Sequence, residues 1–165
     1  MTDDTPTHEE ELETIEKIMK GTRFATVTTH SADGSLYSRP LAVQEEDFSG
    51  TVWFFTADPS PKTEDVKFDE HVNVAYVDGA SCVSLAGTAS VSRDQERIDK
   101  FWNPFVEAWF PGGKDDPSVA LLRVDATSVE YWHVDKPGVV RTFETLRALA
   151  TKTPPDVGDN RVVEL

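Results

Sequence analysis

The stretch FATVTTHSADGSLYSRPLAV, residues 24–43, decides how this chain is read. Residues 24–29 alternate and are rich in β-branched and aromatic side chains, the pattern of a half-buried strand. Asp33-Gly34 then sits in a polar reversal, a strong short-range hairpin signal. The return segment, 36–43, is strand-like again but contains Pro40, which has no N–H to give to a ladder. Pro40 therefore predicts an edge strand or a bulge. A hairpin returning along a proline-bearing edge implies an antiparallel sheet.

Reading outward from the hairpin adds more elements of the same kind. Upstream, residues 7–20 read as a helix: Thr7 and Glu10 have capping-box spacing, and Leu12, Ile15, Ile18 and Met19 form one apolar stripe. Gly21 suits the position just past its end. Downstream, 51–56 is a third strand, ended by Asp58-Pro59-Ser60-Pro61, and 62–70 reads as a short helix. Glu64 and Asp65 fall in its first turn, where the helix dipole favours acids. Strands at 72–77 and 81–92 are joined by Asp78-Gly79, and Gly87 inside the second predicts a bend or a close backbone approach. Ser92 and Gln95 have capping-box spacing for a helix running towards Trp109, which Pro111-Gly112-Gly113 stops. Strands at 120–125 and 128–134 and a helix at 142–152 complete the series.

The expected class is α+β, mainly antiparallel β, a barrel or sandwich with short flanking helices. The expected organisation is an acidic N-terminal tail (1–10), a single domain (11–152) and a mobile C-terminal tail (153–165). No glycine-rich dinucleotide fingerprint, P-loop or strand–helix alternation occurs, which argues against a doubly wound nucleotide fold.

At 165 residues the chain has the usual size of one domain. Its one cysteine, Cys82, rules out an internal disulfide framework and fits a reducing compartment. The 30 acidic against 16 basic residues leave a formal charge of −14, a field that repels nucleic acid and anionic membranes. With no apolar run approaching the roughly 20 residues that cross a bilayer, the expectation is a cytoplasmic protein with neither nucleic acid nor membrane as partner.

In so acidic a chain two cations stand out. Arg39 lies in Ser38-Arg39-Pro40-Leu41, and Lys62 follows Phe54-Phe55-Thr56 and Ser60-Pro61. Each places one positive charge beside hydroxyls and backbone donors at the end of an apolar strand. That is the chemistry for holding a phosphate at the rim of a flat aromatic ligand. The four histidines are far apart with no ligand spacing, so no metal site is expected. Cys82, in a Val/Ser strand, reads as a small buried hydrophobe within reach of a ligand contact. Trp53, Phe54 and Phe55 cannot all face one side of a strand. One face is therefore expected to meet a second subunit or a flat ligand. Trp109 and Phe110, directly before Pro111-Gly112-Gly113, suit a lid or pocket wall.

Together these segments resemble the pyridoxamine 5′-phosphate oxidase-like family, in its branch of general stress proteins with an FMN-binding split β-barrel. The resemblance rests on Ser38-Arg39-Pro40-Leu41, on Trp53-Phe54-Phe55-Thr56 with Ser60 and Lys62, and on Val83-Ser84-Leu85-Ala86-Gly87-Thr88-Ala89. Trp109-Phe110-Pro111-Gly112-Gly113, Asp116-Pro117 and Glu130-Tyr131-Trp132 extend it. It implies a homodimer with FMN in two clefts at the subunit interface. By the same resemblance Arg39 and Lys62 bind the phosphate, with Thr56 and Ser60 as hydroxyl donors. Pro40, Leu41 and Phe55 fall along the cofactor, Cys82 and Trp132 fall near its ring and edge, and Trp109 falls in the wall. Arg141 is the one basic residue soon after Trp132, where true pyridoxamine phosphate oxidases carry several substrate-binding groups. The function implied is flavin-dependent oxidoreduction of a small substrate, the alternative being a non-catalytic FMN reservoir. No side chain is assigned a catalytic role.

Overall fold

The Thr7 hydroxyl accepts from the Glu10 N–H while the Glu10 carboxylate accepts from the Thr7 N–H, and this closed box opens α1 (His8–Gly21). The helix buries Ile15, Ile18 and Met19 against the sheet. It starts inside the segment 1–10 expected as an acidic tail. Gly21 is the last helical residue, with Thr22 as the cap, rather than the expected residue beyond it. A Cβ at Gly21 would meet the exposed Asp78 side chain, which would have to swing aside. The computed structural model describes residues 6–134 and 159–164. The expected helix at 142–152, and Arg141, lie outside the described residues.

The hairpin forms as read: β1 (Phe24–His30) pairs antiparallel with β2 (Leu36–Ala42), Thr26 opposite Pro40. After β3 (Thr51–Ala57) and α2 (Pro61–Phe68) come β4 (His71–Asp78) and β5 (Ser81–Ser92). The chain continues through α3 (Gln95–Phe101), α4 (Pro104–Trp109) and β6 (Val119–His133), and β7 (Asp159–Glu164) follows the undescribed stretch. The strand order is β2-β1-β4-β5-β6-β3, antiparallel throughout, with β7 added on β6. β2 is a terminal strand, as Pro40 requires. The two ends of the path, β2 and β3, approach one another without forming a ladder. The sheet is thus a barrel left open along one seam, a split β-barrel.

Three expectations are corrected. The strands expected at 120–125 and 128–134 are one continuous β6, whose register against β5 shifts between Ala86 and Gly87. A Cβ on Gly87 would strike the Asp125 carbonyl, so the glycine marks the close approach that its place in a strand suggested. The tail expected to be mobile from 153 contains a strand, because residues 159–164 form β7. β3 pairs with β6 only as far as Asp125, which leaves residues 128–133 an open edge for β7 to fill; Val163 enters the core there. The single helix expected from Ser92 to Trp109 is two. Asp94 rather than Ser92 caps α3, and Pro104, which cannot continue a helix, starts α4 behind an Asn103 cap.

The barrel interior is packed by Ile15, Val27, Phe54, Val74, Tyr76, Val83, Leu85, Leu122, Val124 and Val129 among others. A smaller cluster lies outside β3 and β6, where α3 brings Ile98 and Phe101 onto Val119 and Leu121. Phe54 points into the barrel, while Trp53 and Phe55 pack against that outer cluster with Trp102 and Phe110. The second face of the aromatic run is therefore largely covered by the chain's own α3 and α4.

Candidate functional site

Where β2 and β3 fail to pair, a cleft of about 490 Å³ opens, within the range of roughly 300–1,000 Å³ usual for small-molecule sites. Pro40, Leu41 and Ala42 of β2 form one side and Phe55 and Thr56 of β3 the other. Val106, Trp109 and Phe110 from α4 close it as a wall. Phe55, Phe110 and Trp102 contact one another edge to face or tilted, which fixes that wall from behind. Pro40 has no N–H to donate to a ladder on either side of β2.

One end of this apolar slot is cationic. Ser60 caps α2 in a reciprocal box with Thr63, and Pro61 occupies the first turn. The cap sets the direction of the next residue, Lys62, whose Nζ donates to Thr56 Oγ1 at 3.1 Å. Lys62 is half-buried and has no carboxylate within ion-pair reach among the described residues. Burial first, and then the charge of Arg39, hold its ammonium below the ordinary lysine value. The half-buried Lys62 ammonium lies close enough to the Arg39 guanidinium for the two charges to repel, and a bound anion would relieve that repulsion.

Arg39 is held from behind. Its Nη1 donates to Thr29 Oγ1 at 2.8 Å and its Nη2 to Asp65 Oδ2 at 3.1 Å, while Thr29 donates to the same Asp65 oxygen at 2.8 Å. Asp65 is buried. Burial pushes its carboxyl up, but bonds from Thr29 and Ser31 and the Arg39 guanidinium outweigh that and hold it below the ordinary aspartate value. Asp65 and Lys62 lie three apart on α2, so one helix supplies a cation to the cleft and the anchor for the other cation. Sequence reasoning missed this: Asp65 was expected to serve the helix dipole, whereas its carboxylate is spent on β1 and β2. The i, i+3 spacing from Lys62 was the available signal. Thr29, and the α4 residue Val106, carried no signal of their own.

Of the sequence-derived site residues, Arg39, Pro40, Leu41, Phe55, Thr56, Lys62 and Trp109 are brought together in this cleft. Ser60 stands beside it, its hydroxyl engaged by the α2 cap. Cys82 and Trp132 are elsewhere in the same chain. They are cross-strand partners on β5 and β6, and Val77 of β4 is the next partner in that row. Val77 and Trp132 are exposed, and Cys82 is partly covered, with burial pushing its thiol up.

The donors at the slot's end and the flat apolar walls beyond them suit a planar ligand ending in a phosphate. The pattern of the family described as "Pyridoxamine 5′-phosphate oxidase like" matches residues 10–156. The chain belongs to this family. Within the oxidase-like family the barrel is shared by a candidate general stress protein 26 from Jannaschia sp. CCS1, 25% identical over 95% of this chain and 99% of that one, with a TM-score of 0.74. A general stress FMN/FAD binding protein from Xanthomonas citri is 30% identical, with 76% of this chain and 92% of that one covered and a TM-score of 0.66. Protein bli-3 of Neurospora crassa is 29% identical over 94% of this chain and 80% of its own length. Among the described residues, no helix is long and apolar enough to cross a membrane.

Proposed function

We propose that this oxidase-like split barrel binds FMN in the seam cleft and serves as a flavin-dependent oxidoreductase of general-stress type. One observation carries the reading: Lys62, Arg39 and Thr56 converge at one end of an aromatic slot, and Lys62 has no carboxylate to neutralise it among the described residues. A phosphate monoester carries nearly two negative charges and accepts several strong bonds, so it matches this donor set. Arg39 offers the outward side of a fork whose other side is fixed by Thr29 and Asp65. The backbone of residues 40–42 and the rings of Phe55, Trp109 and Phe110 orient the ring system and exclude water. The cofactor supplies the electron chemistry; the residues named here bind and position. Among the described residues the cleft lining holds no carboxylate, histidine or thiol, so no proton-transfer role is assigned to a side chain.

The same reading requires two copies. Cys82 and Trp132 lie away from the cleft of their own chain, on an outward-facing row with Val77. In a two-fold dimer this row of one protomer covers the cleft of the other, completing each site from both chains.

The visible spectrum of the freshly purified protein tests the cofactor, and anaerobic addition of NADH or NADPH tests turnover. Bleaching of a yellow protein that recolours in air supports the oxidoreductase. A flavin spectrum that neither nucleotide reduces supports flavin storage instead. A colourless protein that takes up no added FMN overturns the assignment.

A further inference from the structure

The seam cleft extends beyond its phosphate end. Along the hairpin Arg39 faces Val27, whereas Ala42 faces Phe24, three residues or about 10 Å further along the strands. Phe24 and Phe105 both line the cleft, their ring centres 6.1 Å apart, and Trp109 lies 6.5 Å beyond Phe105. Phe24 is 45% exposed, Phe105 39% and Trp109 70%. Adjoining aromatic rings left open inside a cleft mark a surface that a ligand covers.

Charge picks out the same end. With 30 acidic and 16 basic residues in the chain, a cation readily finds an acid. Among the described lysines and arginines, Lys17, Arg23, Lys62 and Arg161 are the ones that make no ion pair with a described residue. Two of those four stand at the seam cleft. Lys62 is at the phosphate end. The Arg23 guanidinium lies 5.6 Å and 5.7 Å from the ring centres of Phe24 and Phe105, which sets it at the opposite margin. A contact with a ring face holds a guanidinium in place but neutralises no charge. The planar fork can still take a carboxylate.

We infer that the end of the seam cleft away from Lys62 takes a second ligand, a flat aromatic molecule carrying a carboxylate. Its ring lies on the shelf of Phe24 and Phe105, and its carboxylate pairs with Arg23. The inference rests on the flavin reading in one respect: it makes this molecule the small substrate that meets the cofactor. A neutral aromatic would stack and leave Arg23 unanswered, whereas an aliphatic acid would pair and gain little from the rings. An aromatic acid satisfies both.

Two compounds that differ in charge and little in shape test it: 6-fluoro-2-naphthoate and its primary amide. Their binding is followed by fluorine NMR on the full-length protein at neutral pH, with and without saturating FMN. The acid is expected to bind wild type about three- to ten-fold more tightly than the amide, the scale of an ion pair at a half-open site. That preference should shrink as salt is raised from about 0.05 M to about 0.5 M. In Arg23→Gln acid and amide should bind alike, and Phe105→Leu, which removes the flat ring, should weaken both. The inference is overturned if the acid shows no preference, if the preference survives in Arg23→Gln, or if Phe105→Leu leaves both affinities unchanged. Displacement of the acid by FMN would put it on the phosphate end and also overturn it. So would a fall from dimer to monomer in Arg23→Gln, read by light scattering, which would assign Arg23 to the subunit contact. A protein that takes up no FMN removes the flavin reading alone, because the same comparison of acid with amide decides the role of Arg23 on the colourless protein.

Discussion

Arg39 and Lys62 are both cations, yet the fold treats them differently. Arg39 is clamped by Thr29 and Asp65, whereas Lys62 leans on a neutral hydroxyl. Lys62 thus has no ion-pair partner among the described residues, and in the proposed site the cofactor phosphate answers its charge. Lys62→Ala is expected to weaken FMN by about 1.5–3 kcal/mol, the value of a charge-assisted bond. Riboflavin, which lacks the phosphate, should bind both proteins alike, and titration of flavin fluorescence reads the two affinities. Asp65 makes a different prediction, about stability. Its folded pKa is depressed, so its contribution is complete above the unfolded value of roughly 3.9 and is lost as pH falls through the lower folded one. Asp65→Asn should therefore cost about 1.5–3 kcal/mol at neutral pH, by loss of the charged bonds. The gap between mutant and wild type should close as pH drops below about 4, as urea melts at several pH values would show. A gap that persisted unchanged at the lowest pH would mean that the carboxylate's charge contributes nothing.

At the scale of elements, the bend between β5 and β6 depends on one missing side chain. Gly87→Ala forces a methyl into the Asp125 carbonyl, a backbone atom that cannot swing aside. A loss of roughly 1–3 kcal/mol is expected, the usual cost of forcing atoms into packed space, with a matching fall in melting temperature. That glycine was legible in the sequence because glycine weakens a strand and is kept there chiefly where the backbone bends or is closely approached. So were the Asp33-Gly34 hairpin and the edge position of Pro40, since turn chemistry and a missing donor are local properties. The β7 strand was not legible. Its residues, Asp159 to Glu164, follow a polar stretch, and what recruits them is the open edge of β6 beyond Asp125, visible only once the sheet exists. The site divides along the same line. Residues that meet the cleft from their own strands, such as Arg39 and Thr56, could be read from local pattern. Asp65 could be placed near Lys62 by its i, i+3 spacing, but its bonds to Thr29 and Arg39, 36 and 26 residues distant, could not be read.

For the whole molecule, assembly is the first expectation to check. The exposed row of Val77 and Trp132 beside Cys82, together with the proposal that this row completes the partner's flavin site, predicts a two-fold dimer burying well over roughly 1,000 Å². Light scattering at micromolar protein should return twice the monomer mass of 18.3 kDa, and a monomer would remove the shared-site proposal. The open seam has a consequence for how a ligand gets in. A barrel sealed by a continuous ladder would have to break backbone hydrogen bonds to admit a ring system, and loading would then be as slow as local unfolding. Here β2 and β3 form no ladder among the described residues, so a ligand entering along the seam breaks no pairing between strands of its own chain. Amide exchange should record this as two separate clocks. The protons of β1, β4, β5 and β6 should exchange equally slowly with and without ligand, while those along the β2 and β3 margins slow down only when the cleft is filled.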